Sequence, residues 1–209
     1  KLTLVANASV TMTAAQNNAF TGTITATGTE TITLSNAATA TGLANIETYV
    51  LANGAQTFTL GDASQNVTTG TGAVVINTGA VADITDAALY GDAATSLKVI
   101  VGADTDISDA VITGTGGVQD AAYDIDLAAN ADAITMTIAQ NALIDAVTDN
   151  DVVITLSDAG AATGDADISK YVLANGSQTF TLGAASQDVT TGTGAVVINT
   201  AALTDITDA

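Results

Sequence analysis

Acidic oxygen is the main chemical resource of this sequence: 22 acidic residues stand against three basic ones, and twenty of the acids are Asp. Carboxylate oxygens on short stems are the hard ligands that Ca²⁺ takes, at roughly 2.3–2.6 Å. The densest alternation is Gly102-Ala103-Asp104-Thr105-Asp106-Ile107-Ser108-Asp109. There Asp104 and Asp106 are placed to send oxygens to one side of a turn, and Asp109 to close the set. Asp104, Asp106 and Asp109 are therefore the candidate Ca²⁺ ligands. Weaker pairs are Asp83 with Asp86, their repeats Asp205 with Asp208, Asp165 with Asp167, and Asp149 with Asp151. None sits in the Asp-x-Asp-x-Asp-Gly loop of an EF-hand, and for each the competing role is an Asx turn, in which the carboxylate accepts a nearby backbone N–H.

The absent residue types narrow the function further. There is no His, no Cys and no Arg, so His-based triads, thiolate metal sites, disulfides and bidentate phosphate forks are all excluded. A net charge of −19 repels nucleic acid. No apolar run approaches the roughly 20 residues that span a bilayer, and Lys1-Leu2-Thr3-Leu4 does not have the layout of a signal peptide. Mean hydropathy is +0.40, which separates the chain from disordered acidic sequences, usually poor in apolar residues. The apolar residues are mostly Ala, Val, Ile and Leu, with only seven aromatics, so the expected core is narrow and built in thin layers.

Elements that could position such residues recur at two scales. Residues 49–87 return at 171–209 with 33 of 39 positions identical, an offset of 122. The register continues upstream, where Leu34-Ser35-Asn36-Ala37 answers to Leu156-Ser157-Asp158-Ala159, and a two-residue slip then pairs Met12 with Met136. Copy one covers about 1–122 and a partial copy two about 123–209, which reads as a fragment of a longer chain. A shorter motif, apolar–Thr/Ser/Gly–any–Ala, starts at Met12, Leu34, Leu60, Ile84, Ile107, Met136, Leu156, Leu182 and Ile206. Its mean spacing of about 24 residues lies in the range of solenoid repeats.

Within each unit the pattern is strand-like. Thr57-Phe58-Thr59-Leu60 and Val74-Val75-Ile76-Asn77 are short β-branched or aromatic runs bounded by Gly, Asn and Asp. Thr occupies every odd position from 21 to 33, while Phe20, Ile24, Ile32 and Leu34 take the opposite parity, so one strand face carries hydroxyls and the other apolar groups. Helical periodicity is weak and confined to stretches such as Ala139–Val147. A β-sandwich would set each strand in a different environment, whereas stacked coils set each in the same one. The near-identity of the copies therefore predicts an all-β, right-handed parallel β-solenoid of about 24-residue coils with two or more short strands per coil, continuous over 1–209. The absence of Pro suits it, because almost every backbone N–H in such a stack donates to a neighbouring coil.

The stretches Thr69-Gly70-Thr71-Gly72-Ala73-Val74-Val75-Ile76-Asn77 and Thr191-Gly192-Thr193-Gly194-Ala195-Val196-Val197-Ile198-Asn199 resemble degenerate Gly-Gly-x-Gly-x-Asp-x-apolar-x repeats of RTX proteins. The phrases around LANGAQTFTLG and MTAAQNNAFTG are similar to repeats of giant bacterial surface-layer and adhesin-like proteins. This resemblance implies an extracellular, cell-surface protein exported by type I secretion, often calcium-stabilised. The chain departs from that pattern where it matters for metal. Val74 and Val196 stand at the ligand Asp position, and Thr69 and Thr191 at the first Gly, so the family's Ca²⁺ site does not carry over to these turns.

Three further readings compete. The Thr-bearing face suggests ice binding, but unit spacings of 20 to 29 oppose a flat grid. Parallel β-helices also host sugar-cleaving enzymes, yet near-identical segments multiply a scaffold rather than a site. Asn7-Ala8-Ser9, Asn66-Val67-Thr68 and Asn175-Gly176-Ser177 match the glycosylation sequon, while Asn53-Gly54 and Asn175-Gly176 read better as tight turns. The expected function is a non-enzymatic, self-associating structural segment of a secreted bacterial surface protein, in a surface layer, filament or matrix. An adhesin arm binding a glycan, a surface or ice is the alternative, and cell-surface polysaccharide is a candidate partner.

Overall fold

The computed structural model describes residues 2–22, 24–85, 87–90, 96–113, 123–148, 151–200 and 203. In chain order the elements are β1 (Leu2–Thr3), β2 (Ser9–Met12), α1 (Ala14–Asn18), β3 (Ile24–Thr25), β4 (Thr31–Leu34), β5 (Ala40–Thr41), β6 (Thr48–Val50), β7 (Gln56–Thr59), β8 (Asn66–Thr68), β9 (Val74–Asn77), β10 (Ala88–Tyr90) and β11 (Leu97–Val101). They continue with β12 (Thr105–Asp106), β13 (Val111–Thr113), β14 (Tyr123–Leu127), β15 (Ala133–Met136), α2 (Ile138–Asn141), β16 (Ile144–Val147), β17 (Val153–Leu156), β18 (Ala161–Thr163), β19 (Lys170–Val172), β20 (Gln178–Thr181), β21 (Asp188–Thr190) and β22 (Val196–Asn199). The fold is nearly all-β, with parallel strands stacked as a β-solenoid and, among the described residues, two helices of five and four residues. Ala139–Val147, the stretch with weak helical periodicity, divides between the end of α2 and β16.

The chain forms two compact units, Lys1–Ile100 with Asp109–Asp124, and Val101–Ser108 with Ile125–Ala209. In the first, one sheet runs β13-β10-β8-β6-β4-β2 and another includes β11-β9-β7-β5, with β1 paired to β3. In the second, the sheets are β12-β15-β17-β19-β21 and β18-β20-β22, and β14 pairs with β16.

Register gives the coil length directly. Thr31 pairs with Thr48 and Thr48 with Asn66, steps of 17 and 18 residues. Ser9 pairs with Thr31, a step of 22, and Ala88 with Val111, a step of 23. The second unit repeats the short steps, Val153 to Lys170 and Lys170 to Asp188, and the longest step runs from Thr105 to Ile134. Coils are thus unequal, and several are shorter than the motif spacing of about 24. The physical reason is that the motif marks strand ends in more than one sheet. Met12 and Leu34 are register partners, whereas Leu60 follows β7 in the other sheet and donates its N–H to the Asn77 carbonyl at 2.9 Å. What the motif does report is burial: its described first residues, Met12, Leu34, Leu60, Ile84, Ile107, Met136, Leu156 and Leu182, are all in the core.

Alternation then fills a narrow interior. In β4, Ile32 and Leu34 are buried while Thr31 and Thr33 face outward. In β9, Val74 and Ile76 are buried and Val75 and Asn77 are not. Facing sheets meet across this interior: Tyr49 of β6 lies 4.7 Å from Phe58 of β7, and Tyr171 of β19 lies 4.9 Å from Phe180 of β20.

The tightest coils depend on glycine. A Cβ on Gly61 would stand 1.9 Å from the Gly42 carbonyl oxygen, and one on Gly183 would stand 2.0 Å from that of Gly164. Gly72, at φ +121°, lies over Gly54, at φ +120°, a conformation and a closeness that a side chain would oppose. Gly61→Ala or Gly183→Ala is expected to lower stability by about 1–3 kcal/mol, the usual range for overpacking. Urea unfolding checks this, and an unchanged midpoint for both variants would show that the coils can spread apart at little cost.

Candidate functional site

Asp104 and Asp106 belong to the second unit and are used within it. Oδ1 of Asp104 accepts the backbone N–H of both Asp132 and Ala133 at 2.9 Å, which ties one coil to the next. Oδ1 of Asp106 accepts the Ser108 N–H at 2.9 Å and the Ser108 hydroxyl at 2.7 Å, an Asx turn. Asp109 belongs to the first unit and is exposed. Oδ1 of Asp165 accepts the Asp167 N–H at 2.9 Å, again an Asx turn. Asp83 and Asp151 are exposed, while Asp86, Asp149, Asp205 and Asp208 lie outside the described residues. Among the described residues, no group of three or more acidic side chains is placed to hold a metal ion. In the glycine-rich turn, Val74 at the would-be ligand position is buried in the core.

The sequon asparagines do the same mechanical work. Asn7, Asn66 and Asn175 accept the N–H groups of Thr29, Ala88 and Thr193, each on another coil. Asn53 accepts from Thr71. Gly54 and Gly176 stand at φ +120° and +124°, while Asn53 and Asn175 do not have positive φ, so the Asn-Gly pairs form bends between parallel strands rather than two-residue hairpin turns.

The polar groups that the sequence did not single out are buried at the corners, and they occur twice. In the first unit the Tyr49 hydroxyl donates to Oδ1 of Asn17 at 3.1 Å and accepts the Leu43 N–H at 2.8 Å. Gln65 accepts the Gly61 N–H at 2.8 Å through Oε1, and its Nε2 donates to the Leu43 and Ile46 carbonyls at 2.8 and 3.0 Å. In the second unit Tyr171 donates to Asn141 at 3.0 Å and accepts from the Asp165 N–H at 2.8 Å. Gln187 accepts from Gly183 at 2.7 Å and donates to the carbonyls of Asp165 and Ile168. Burial raises the ionisation of both tyrosines well above its ordinary value, so both stay neutral. The available signal was the 122-residue offset of Tyr49 and Gln65 to Tyr171 and Gln187, together with the two-residue slip that carries Asn17 to Asn141.

Each unit also carries a helix that closes a sheet edge. Thr13 and Gln16 form a capping box that starts α1, and Thr137 and Gln140 do the same for α2. The side chain of Asn18 accepts the Thr41 N–H at 3.1 Å and donates to the Thr39 carbonyl at 3.0 Å. Asn17 donates to the Thr41 carbonyl at 2.8 Å. These amides take the place of a strand along β5. In the second unit Asn141 likewise donates to the Thr163 carbonyl of β18 at 2.9 Å.

One polar feature is not duplicated. Glu30 and Glu47, the chain's two glutamates, meet in the first unit. The Glu30 carboxylate accepts the N–H groups of Thr27 and Gly28 at 3.1 and 3.2 Å, and Glu30 N–H donates to Glu47 Oε2 at 2.8 Å. Burial pushes the Glu30 carboxyl up, but the bonds from Thr27, Glu47 and Gly28 outweigh it and hold its pKa below the ordinary value of 4.5. Their equivalents, at an offset of 122, are Val152 and Ser169.

A cleft of 720 Å³ in the first unit is lined by Phe20, Thr21, Thr41, Leu43 and Asn45 among others. The described helices include none long and apolar enough to cross a membrane. No protein-family model matches the chain, and neither the curated proteins nor the solved structures contain a match.

Two predictions follow from these networks. Tyr49→Phe strands the buried Asn17 amide oxygen and the Leu43 N–H, and is expected to cost about 1–3 kcal/mol in urea unfolding, as is Tyr171→Phe; an effect below about 0.3 kcal/mol in both would remove the corner network from the account of stability. Because the folded pKa of Glu30 is lowered, its contribution is present above the unfolded value and lost as pH falls through the folded one. The thermal midpoint of Glu30→Gln should therefore fall less than the native midpoint as pH drops from 5 towards 3, and parallel curves would contradict the assignment.

Proposed function

We propose that this chain is a non-enzymatic structural repeat segment of a large secreted bacterial cell-surface protein, one that associates with itself into a surface layer, filament or matrix. The observation that supports the reading best is the duplicated corner network of Asn, Tyr and Gln. Duplication has kept the groups that join coil to coil, which is what a load-bearing array requires. The acids work in the same direction: Asp104, Asp106 and Asp165 hold turns, and exposed acids such as Asp83 and Asp109 add to a strongly anionic surface. The resemblance of the glycine-rich turns to RTX repeats adds the surface location and type I secretion. Calcium would act on the exposed acids between copies rather than in those turns.

The cleft beside Phe20 favours a second reading, an adhesin arm. Its lining combines one half-buried aromatic ring with Thr hydroxyls and the Asn45 amide, a neutral mixture suited to a sugar rather than an ion.

Negative-stain electron microscopy of the purified chain, with calcium and with a chelator, tests the proposal. Ordered sheets or filaments are expected, and dispersed particles under both conditions would overturn it.

A further inference from the structure

β22 and β9 share the sequence Val-Val-Ile-Asn and hold equivalent places in the two units, but among the described residues only β9 has a strand on its outer side. β9 is flanked on its outer side by β11, with Leu97 opposite Val74, Lys98 opposite Val75, Val99 opposite Ile76 and Ile100 opposite Asn77. The N–H groups of Val74 and Thr78 donate to the Ser96 and Ile100 carbonyls at 2.9 and 3.0 Å. β22 is the outermost strand of β18-β20-β22, and the equivalent N–H groups, on Val196 and Thr200, have no such bond among the described residues. The side chains report the same difference: Ile76 is 0% exposed and Ile198 is 40% exposed.

On the far edge of this sheet Asn141 of α2 donates to the Thr163 carbonyl of β18. Among the described residues no strand lies beyond β22 on its outer side, and an unpaired strand edge is a template for a further strand.

We propose that the outer edge of β22 is a docking site for a parallel strand with the alternation of Leu97–Ile100, supplied by a further copy of the repeat block. The proposal rests on the repeat-array reading above. The unit that contains β9 shows what fits. Leu97 and Val99, 0% and 1% exposed, point into the core, and Lys98 between them does not. A strand set one residue out of register would turn the lysine inward and is rejected.

The test appends a second copy of residues 88–123 directly after Ala209, the equivalent of Ala87, and follows amide hydrogen exchange in the whole chain. Exchange at Val196 and Thr200 is expected to slow by about tenfold or more relative to the unextended chain. A matched extension lacking one residue just before its Leu97 equivalent should give no such slowing. Ile198→Asp in the extended chain should restore fast exchange at both amides while β20 stays protected, which shows that the unit still folds. Unchanged exchange at Val196 and Thr200 beside a folded extension, or equal slowing by the out-of-register extension, would overturn the site. If the extension protects β22 and yet the unextended chain forms no sheets or filaments, the docking edge stands and the self-association reading fails.

Discussion

Everything in this fold depends on satisfying backbone hydrogen bonds at the corners between short parallel strands. Along the strands, neighbouring coils satisfy one another. At a corner the backbone turns inward, away from water, and a buried N–H or C=O left unpaired costs about as much as a lost hydrogen bond. The chain solves this with side chains: Gln65 and Gln187 each bridge an N–H and carbonyls of the corner, and Tyr49 and Tyr171 each link a backbone N–H to a buried Asn. Their apolar rings and stems occupy the same narrow core that Val, Ile and Leu fill.

That constraint explains where glycine and asparagine are required. Where corners stack 19 residues apart, as Gly42 with Gly61 and Gly164 with Gly183, the backbones come so close that a Cβ on Gly61 or Gly183 has no room. Asn and Asp at the outer bends accept an N–H from a neighbouring coil, as Asn53, Asn66, Asp104 and Asn175 do. Acids that might have served as metal ligands are drawn into these turns, and the same geometry holds the sequon asparagines. A chain of this kind diverts its polar side chains to cohesion, and its functional identity then rests on surfaces and edges. The pair Glu30 and Glu47 shows how one unit departs from the other without changing the fold, since Val152 fills the equivalent buried place with an apolar side chain.

Edge control is the second consequence. Parallel stacks expose unpaired strands at their limits, and a short helix with Asn amides is an economical plug because a carboxamide presents the same donor and acceptor as a peptide group. Asn18 reproduces both bonds on β5. In the second unit Ala142 stands where Asn18 does in the first, and the single bond from Asn141 remains.

Sequence alone determined the architecture: the 122-residue repeat, the Thr/apolar parity of residues 21–34 and the absence of Pro pointed to stacked parallel strands, because identical segments need identical environments and a period of two selects one buried face. The buried motif residues from Met12 to Leu182 were legible for the same reason. Coil length was not, because a motif that alternates between sheets has a spacing different from the distance between register partners. Nor was the role of Asp104 and Asp106 legible, since alternating carboxylates look alike whether they hold a cation or a backbone N–H. The corner network, the Asn plugs on β5 and β18 and the open edge of β22 were decided only in three dimensions. Each depends on which residues of one coil lie over those of another, and that register is set by close approach of backbones rather than by any local pattern.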